Sequence, residues 1–575
     1  MIAALLLALG ALLEPAPAAT PPPEATPAAA AQPAAPEPGV PQPVVPQPVA
    51  PQPAPPAAKP SPRPAPAATH ARAKAPPARP AAAPAAAAGD RAARLFGFDD
   101  VRRIAQERSR REYRARADTL PQTLANLTAD QYRDIRFRAG SALWRGQGLF
   151  EAEFFHRGYH NKERVNLFEV SPAGVTALVY NPNYYTFGSQ KAPRVPANVG
   201  YAGFRVHYPL QTPGYKDELI SFLGASYFRV LGRNQHYGAS LRGLAIDTAA
   251  QSGEEFPVFT DFWLVRPRAG DRRLTLYALL DSKSVVGAYQ FEVQPGAITL
   301  VEVHCTLYLR RPVAKLGIAP LTSMFLFGED PWGHRYDDYR PEVHDSDGLM
   351  SETGHGQWLW RPLVNPRELR VNRFMDENPR GFGLVQRERD PRQYDDLQSD
   401  YEARPSYWVQ PLGNWGKGGV ELVEIPSDEE IHDNIVTYWV PAEAPAVGKP
   451  VSYNYLVSAF LHNTQWPPGG HVISTRSGTP GSAEERARFG PGARRFVIEY
   501  AGGDLDGLAA VQPVKAEASA DNARVDALAV QRTAAGGWRV SMVVTPRAKR
   551  PVDMHCFLTL NGEVLTETWT YQWTP

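Results

Sequence analysis

Short runs of alternating apolar and polar residues fill most of the sequence from Ala142 onward. Glycine, proline, asparagine and aspartate separate these runs, of which typical examples are VTALVYN, GFRVHYPL, LTLYALLDS and ITLVEVHCTLYLRR. A period of two residues is typical of a β-strand with one buried face. Because long amphipathic helices do not alternate with the runs, the pattern argues against a parallel α/β fold. The sequence therefore predicts an all-β protein whose first folded region is a large antiparallel sandwich.

The beginning of the chain has a different character. Ile2 to Leu13 is an apolar run followed by small residues, and this pattern predicts a signal peptide over residues 1–18. Residues 19–92 are almost entirely alanine and proline, so they lack the apolar side chains that a core requires. We expect a disordered, extended spacer there and a folded part that lies outside the cytoplasm.

A second folded region is expected after a Pro/Gly/Ala linker over residues 441–450. The first domain then covers residues 93–440, and the short strands of residues 451–575 are spaced as in a smaller immunoglobulin-like β-sandwich. The 575 residues carry a formal net charge of +1, which argues against nucleic acid as a partner. Two cysteines in the whole chain argue against a disulfide scaffold or a zinc module.

The stretch from Tyr339 to Val440 concentrates the residue types expected at a carbohydrate site. Two aspartate-centred turns bracket it, one with Asp345 and Asp347 and the other with Asp433. Paired carboxylates are needed for glycoside cleavage, and aromatic faces stack on sugar rings. Tyr401 and Arg404 are candidates for holding the attacking water or a sugar hydroxyl. The candidate stacking rings are Trp358, Trp360, Tyr407, Trp408 and Trp415, and further candidate site residues are Asp347, Glu352, His355 and Arg380.

Each of these features has a structural alternative. The sequences Asp-Ser-Asp-Gly and Asp-Asn are common in turns, and the aromatic rings could instead fill a core. The glycine-rich stretch from Ser221 to Thr248 is equally open, as one wall of a polar groove or as turns and strand edges. Its polar side chains are Tyr227, Arg229, Asn234, Gln235, Tyr237, Arg242 and Asp247. A calcium loop is not expected after Asp345, because Gly356 stands where the bidentate glutamate would fall, and we expect neither a metal nor a cofactor.

Several longer strings carry a resemblance to a known family. They include AGFRVHYPL, SFLGASYFR, RGLAIDT, LGIAPLTSMFLFGE, RPEVHDSDGL, ENPRGFGLVQRERD, RPSYWV, WGKGGVELVEIP and DNIVTYWVP, in this order. With them the chain resembles the periplasmic glucan biosynthesis protein G/D family of Gram-negative bacteria, and HDSDG and ENPRGF resemble the G branch. The resemblance implies a galactose-mutarotase-like β-sandwich followed by an immunoglobulin-like one. It also implies the making or trimming of osmoregulated periplasmic glucans, whose backbone is β-1,2-linked glucose.

The resemblance further implies separate roles for two aspartates. Asp433, in the DNIV motif, corresponds to the general acid of an inverting endo-β-1,2-glucanase, and Asp345, in the HDSD motif, corresponds to its general base. Related members use a similar site for transglycosylation. The expected partner is β-1,2-glucan, and a second candidate partner is the inner-membrane glucan synthase. The alternative function is a non-catalytic periplasmic scaffold that binds glucan and assists the synthase, although a pure binder has no need of two carboxylates.

Overall fold

The computed structural model describes residues 95–116, 120–188, 196, 199–330, 335–463 and 465–575. The predicted signal peptide (1–18) and the predicted Ala/Pro-rich spacer (19–92) lie outside the described residues. Within these ranges, no helix has both the length and the apolar character needed to cross a membrane.

Strands dominate the described residues. The helices are α1 (Phe98–Ser109), α2 (Gln122–Ala125), α3 (Ala129–Arg133) and α4 (Ala483–Phe489), and 3-10 turns occur at Ala139–Ser141, Pro182–Tyr184, Pro391–Gln393, Tyr401–Ala403 and Gly503–Gly507. Strands β1 to β25 are Arg136–Phe137, Glu151–His156, Asn166–Ser171, Gly174–Ala177, Tyr185–Thr186, Tyr201–Tyr208, Asp217–Leu223, Tyr227–Val230, Ser240–Arg242, Leu244–Ile246, Val258–Val265, Leu274–Asp281, Val285–Gln294, Thr299–Leu309, Leu316–Ser323, Phe325–Phe327, Val343–His344, Gly348–Glu352, Trp358–Pro362, Arg370–Glu377, Gly381–Val385, Ser406–Leu412, Lys417–Glu424, Ile435–Pro441 and Pro450–Phe460. Strands β26 to β33 are His471–Gly478, Arg494–Ala501, Lys515–Ala520, Ala523–Arg532, Trp538–Pro546, Val552–Leu560, Glu563–Val564 and Thr568–Trp573.

Two sheets form the large sandwich. In the described part of the chain, the first sheet has ten strands in the order β2-β6-β7-β8-β9-β15-β24-β23-β20, with β10 also paired to β15. The opposite sheet contains β18, β21, β22, β25, β14, β13, β12, β11, β3 and β4. Phenylalanine rings meet between the layers, where Phe222 and Phe228 of the first sheet lie 5.2 and 5.4 Å from Phe291. This interleaving of inward-facing side chains is the expected core of a sandwich.

The sheet opposite the first sheet continues into the second sandwich, and we call it the shared sheet. Its strand β19 pairs in parallel with β33, so that Leu359 lies opposite Thr568 and Trp360 opposite Trp569. Strands β33, β31 and β28 extend it, and a separate sheet β26-β27-β30-β29 packs over them. The prediction of an all-β fold with two successive sandwiches is confirmed, with the addition that the sandwiches share one sheet.

Strand β25 lies in a different place from the one predicted. The sequence suggests that it opens the second sandwich after a linker over residues 441–450, but it pairs with β14 on one side and β22 on the other. Its inward residues Tyr453, Tyr455 and Val457 belong to the core of the large sandwich. Residues 441–450 therefore connect the two sheets of the large sandwich, and the chain enters the second sandwich only after Phe460.

Strand β22 is buried on both faces. Tyr407 points into the core of the large sandwich, whereas its neighbour Trp408 belongs to the core of the second sandwich. The indole of Trp408 lies between Trp358 and Trp466, with ring centroids 5.4 Å away on each side. Gly381 on the adjacent strand leaves room for it, because a Cβ atom there would lie 2.1 Å from the indole carbon Cζ2.

Replacing Gly381 by alanine should lower the free energy of unfolding by about 1–3 kcal/mol, the usual cost of overpacking a core. Movement of the Trp408 indole is restricted because Trp358 stacks on it and the tilted ring of Trp466 also contacts it. Urea denaturation of wild type and variant measures the change. Gly140→Ala is the matched control, since a Cβ atom at Gly140 meets no atom within 4 Å. Equal midpoints for wild type and Gly381→Ala would contradict the packing described.

Candidate active site

Asp345 is held in place directly after the short strand β17. Strand β17 pairs with β16, with His344 opposite Phe325, and the chain then turns. The backbone N–H of Asp345 donates to the carbonyl oxygen of Met324 at 2.8 Å. The next residue, Ser346, is buried and its hydroxyl lies 2.9 Å from that of Ser323. The turn therefore holds the carboxylate of Asp345 in one position, with 4% of the residue exposed.

Arg404 pairs with this carboxylate. Its Nη1 contacts Oδ1 of Asp345, and its Nε and Nη2 donate to the carbonyl oxygen of Ser399 at 3.2 and 3.0 Å. The guanidinium carbon lies 3.9 Å from the ring centroid of Tyr401, and the side-chain carbons pack against Gly238. A guanidinium held on several sides is already oriented, so it can stabilise a negative charge on Asp345 without rearranging.

Asp433 lies just before strand β24 of the first sheet. Its Oδ2 accepts a hydrogen bond from the hydroxyl of Thr322 on β15 at 3.3 Å. Burial raises the pKa of Asp433 above its ordinary value, and the negative charge of Asp345 raises it further. Arg229 and the Thr322 hydroxyl act in the opposite direction and are outweighed. Asp433 therefore keeps its proton to higher pH than an ordinary aspartate does, and the charge of Asp345 lies close enough to contribute to this.

Asn434 connects the segment that carries Asp433 with strand β16. It is buried, its Oδ1 accepts from the N–H of Phe325 at 2.8 Å, and its Nδ2 donates to the carbonyl oxygens of Phe325 (2.9 Å) and Ile425 (3.1 Å). Phe325 begins strand β16, whose partner β17 leads into Asp345. The amide side chain thus fixes the segment that carries Asp433 relative to the segment that carries Asp345.

A third acidic residue, Glu430, lies near the two aspartates through its contact with Tyr401. The hydroxyl of Tyr401 donates to Glu430 at 3.1 Å, and Glu430 also pairs with Arg340 at 2.8 Å. Burial raises the pKa of Tyr401 far above its ordinary value, and the charges of Glu430 and Asp345 add to this, against the opposing charge of Arg404. Tyr401 therefore remains a hydroxyl donor at the side of Asp345.

Asp347 points away from the acid pair. Its Oδ2 accepts from the backbone N–H groups of Arg387 and Glu388, the latter at 2.8 Å. It lines a cavity of about 80 Å³ where the two sandwiches meet, together with Glu342 and His344. The carboxylate of Asp347 is therefore held by two backbone N–H groups and by the ring of His344 rather than beside Asp345, which corrects the prediction that it contacts substrate or water there.

The atoms of Glu342, His344 and Asp347 lie within 4.8 Å of one another, so we tested them as a metal site. Nε2 of His344 lies 2.7 Å from a Glu342 carboxylate oxygen, and its Nδ1 lies 2.9 Å from Oε1 of Gln386. Both ring nitrogens therefore face acceptors and both carry protons. Burial alone would lower the pKa of His344, but the charges of Asp347 and Glu342 raise it to about 9. In this structure, hydrogen bonds and opposite charge therefore hold the three side chains together around the protonated ring of His344.

The charged His344 gives a testable pH dependence. Its pKa rises from 6.5 in the unfolded chain to about 9 in the fold, so its stabilising contribution is complete below pH 6.5 and is lost as the pH rises to about 9. In His344→Gln we expect this loss between pH 6.5 and 9 to be absent. Denaturant titrations of both proteins across that range measure the difference, and parallel pH dependences would contradict the assignment.

The rings predicted to stack on sugar are largely core residues. Trp360, Tyr407, Trp408 and Trp415 are buried, at 3%, 0%, 2% and 6% exposure, so the prediction that they bind sugar is wrong. Trp358 is half-buried, and one face of its ring is covered by the stacked ring of the buried Trp408. Trp358 and Trp360 share one side of β19, and that side packs against the second sandwich.

Glu352, His355 and Arg380 lie at a distant turn. Strand β18 starts just after the acid turn, and Glu352 is at its far end, about 13 Å further on for a strand rising ~3.3 Å per residue. Arg380 pairs with Glu352 at 3.1 Å, and His355 is exposed between β18 and β19. The prediction that these three residues belong to the site is wrong. Asp345, Asp433, Tyr401 and Arg404 are the predicted residues that the fold does bring together.

Comparison with known proteins decides the family. The family model described as "Periplasmic glucan biosynthesis protein, MdoG" matches residues 96–573. The chain belongs to this family. A curated relative, "Glucans biosynthesis protein G" of Ralstonia nicotianae (strain ATCC BAA-1114 / GMI1000), is 46% identical over 500 residues, which cover 85% of this chain and 98% of that protein. The resemblance stated from the sequence is confirmed.

Membership in the MdoG family gives the protein a role in periplasmic glucan biosynthesis and places it in the periplasm, as predicted. Within this MdoG-family chain, sequence reasoning missed three residues at the acids. Thr322 and Asn434 were not predicted, and the proximity of Arg229 to Asp433 could not be seen. Asn434 had a weak signal in its position directly after Asp433, whereas Thr322 reaches the site only through the pairing of β15 with β24.

Proposed function

We propose that the protein acts on β-1,2-glucan as an inverting endo-glucanase or as a transglycosylase. The observation that carries the proposal is the pairing of two carboxyl groups that influence each other but have opposite surroundings. Asp433 is kept protonated by burial and by the charge of its neighbour, whereas Asp345 is paired with Arg404. Environments that favour opposite protonation states are what separates an acid from a base in one site.

Each carboxyl then has its own step. Asp433 donates its proton to the glycosidic oxygen as the bond from that oxygen to the anomeric carbon breaks. Asp345 takes a proton from a water that attacks the anomeric carbon from the opposite face, so the configuration inverts. Arg404 and the hydroxyl of Tyr401 orient that water beside Asp345. When a sugar hydroxyl takes the place of water, it gives its proton to Asp345 and receives the glycosyl segment with inverted configuration, while the other part of the cleaved chain leaves with the proton from Asp433.

The substrate class rests on the family and on the relative's name. The relative is called a glucans biosynthesis protein, and the resemblance implies a β-1,2-linked backbone. The buried Trp360 and Trp408 do not contribute to this proposal, because their faces are unavailable to sugar.

Incubation of the purified protein with linear β-1,2-glucan tests the proposal. We expect new oligosaccharides or joined chains, and for hydrolysis an initial product of inverted anomeric configuration by NMR. Binding of glucan without any new product would overturn the enzyme proposal and favour the scaffold that assists the membrane synthase. Products that form equally fast in wild type and in Asp433→Asn would overturn the assignment of the acid.

A further inference from the structure

A row of polar side chains crosses the first sheet and ends at the acid site. Strand pairing places its members side by side on six adjacent strands: Glu153, Arg205, Ser221, Arg229, Ser240 and Thr322. Strands lie about 4.8 Å apart, so the row spans about 24 Å. At its end the hydroxyl of Thr322 donates to Asp433. Glu153, Ser221, Ser240 and Thr322 are buried, so Arg205 and Arg229 are the members of the row that a ligand on the sheet can contact.

Arg205 and Arg229 differ in whether their positive charge is paired with a carboxylate. Arg205 pairs with Glu153 at 2.7 Å and with Glu218 at 3.3 Å, so its charge is neutralised within the sheet. Arg229 is exposed and its Nε donates to the hydroxyl of Ser240 at 2.9 Å. None of the ion pairs among the described residues involves Arg229. Its remaining N–H groups are therefore available to a ligand that approaches the acid site.

Tyr237 supplies an aromatic face beside Arg229. The guanidinium carbon of Arg229 lies 5.6 Å from the centroid of the Tyr237 ring, and 43% of Tyr237 is exposed. The rings of Tyr401 and Tyr407, which also lie near the acids, are buried. The negative charge of Glu218 lies near the hydroxyl of Tyr237 and, after burial, contributes to raising the pKa of this tyrosine.

The residues on either side of Tyr237 fix it at the rim of the acid site. The N–H of His236 donates to the carbonyl oxygen of Ala403 at 3.0 Å. Gly238 lies against the side-chain carbons of Arg404, the residue that pairs with Asp345. The position of the Tyr237 ring is therefore coupled to the segment that holds the proposed base.

We propose that Tyr237 and Arg229 form a glucan-binding subsite next to Asp433, and that the glucan chain continues from it along the polar row towards Arg205. The ring of Tyr237 stacks on the apolar face of one glucose residue, and the guanidinium of Arg229 donates to its hydroxyls. This inference rests on the proposed function, because it takes β-1,2-glucan as the ligand. It goes further by naming the residues that hold the chain outside the bond that is cleaved.

Tyr237→Ala and Tyr237→Phe separate stacking from a structural role. Both variants lose the hydroxyl near Glu218, but only the alanine variant loses the ring. We expect Tyr237→Ala to weaken binding of long linear β-1,2-glucan about tenfold, as for truncation of a central contact residue, and Tyr237→Phe to bind as wild type does. The loss should appear in KM rather than in kcat, because the ring contacts a glucose residue outside the bond that is cleaved and binds it alike in the ground state and the transition state.

Calorimetric titration of glucans of increasing length, carried out also in the Asp433→Asn background, measures binding independently of turnover. Equal affinities of wild type and Tyr237→Ala at all lengths would overturn the subsite, and so would equal losses in the alanine and phenylalanine variants. If wild type binds glucan in a Tyr237-dependent way without cleaving it, the subsite stands and the enzyme proposal falls. If wild type binds no glucan, both fall. Thermal melting of each variant identifies any loss of folding.

Discussion

Replacing Asp433 by asparagine is expected to lower the rate of β-1,2-glucan turnover by about 10²–10⁴-fold, the usual contribution of a general acid. Asparagine has nearly the same shape and keeps an acceptor for the hydroxyl of Thr322 at this position. It has no proton to give to the leaving oxygen. Because the variant also removes a carboxyl that burial disfavours in its charged form, we expect the fold to be at least as stable. Initial rates on linear glucan measure the effect.

The dependence of the turnover rate on pH gives a second test of Asp433 as the acid. Asp433 must be protonated to act, so the wild-type rate should fall as the pH rises through its raised pKa. In Asp433→Asn the residual rate should no longer show this fall. The matched control is Asp428→Asn, an exposed aspartate in the same turn, for which we expect wild-type rates and an unchanged profile. An unaltered alkaline limb in Asp433→Asn would show that another group is the acid.

Replacing Arg387 by methionine is expected to lower the free energy of unfolding by about 3–5 kcal/mol, as for other buried ion pairs that lose one partner. Its guanidinium contacts both oxygens of Glu567, at 2.6 and 2.9 Å, and the side chain of Glu567 is fully buried. The same guanidinium donates to the carbonyl oxygen of Val472 and lies 3.5 Å from the centroid of the Trp360 ring. The variant therefore leaves a buried carboxylate without a cation at the junction of the sandwiches.

A second variant tests the reason for that loss. In Arg387→Met combined with Glu567→Gln, no buried charge is left unpaired, so we expect the double variant to regain part of the stability. Arg524→Ala serves as control, because its pair with Asp526 is exposed and surface pairs contribute about 0–1 kcal/mol. Guanidinium chloride denaturation measures all four proteins. Equal stability of the single and double variants would contradict the explanation by an unpaired charge.

The alternation of residues was sufficient to predict sheets, since a strand with one buried face leaves a clear period of two. It failed where both faces are buried. On β22 Tyr407 and Trp408 fill two different cores, and an aromatic pair in such a strand looks the same in sequence as a pair lining a cleft. Likewise β25 follows a linker-like segment, and only its pairing with β14 and β22 assigns it to the large sandwich.

For the candidate site, local sequence indicated Asp345 and Asp433, because each stands in a turn beside a strand. It could not determine that Asp347, two residues after Asp345, faces the other side of the chain. Nor could it show that Thr322 and Arg229 reach Asp433, because these contacts depend on strands that are paired far apart in the sequence. Contacts made across a sheet are fixed by register, and register is a property of the whole fold.

The pairing of β19 with β33 joins the two sandwiches through main-chain hydrogen bonds within one sheet. A hinge between them would have to break main-chain hydrogen bonds at Leu359 and Trp360 and to separate Arg387 from Glu567. The two sandwiches are therefore expected to move as one rigid body, without hinge motion between them. Under the proposed function, a long glucan therefore has to adapt its own conformation to an acid site that is already formed.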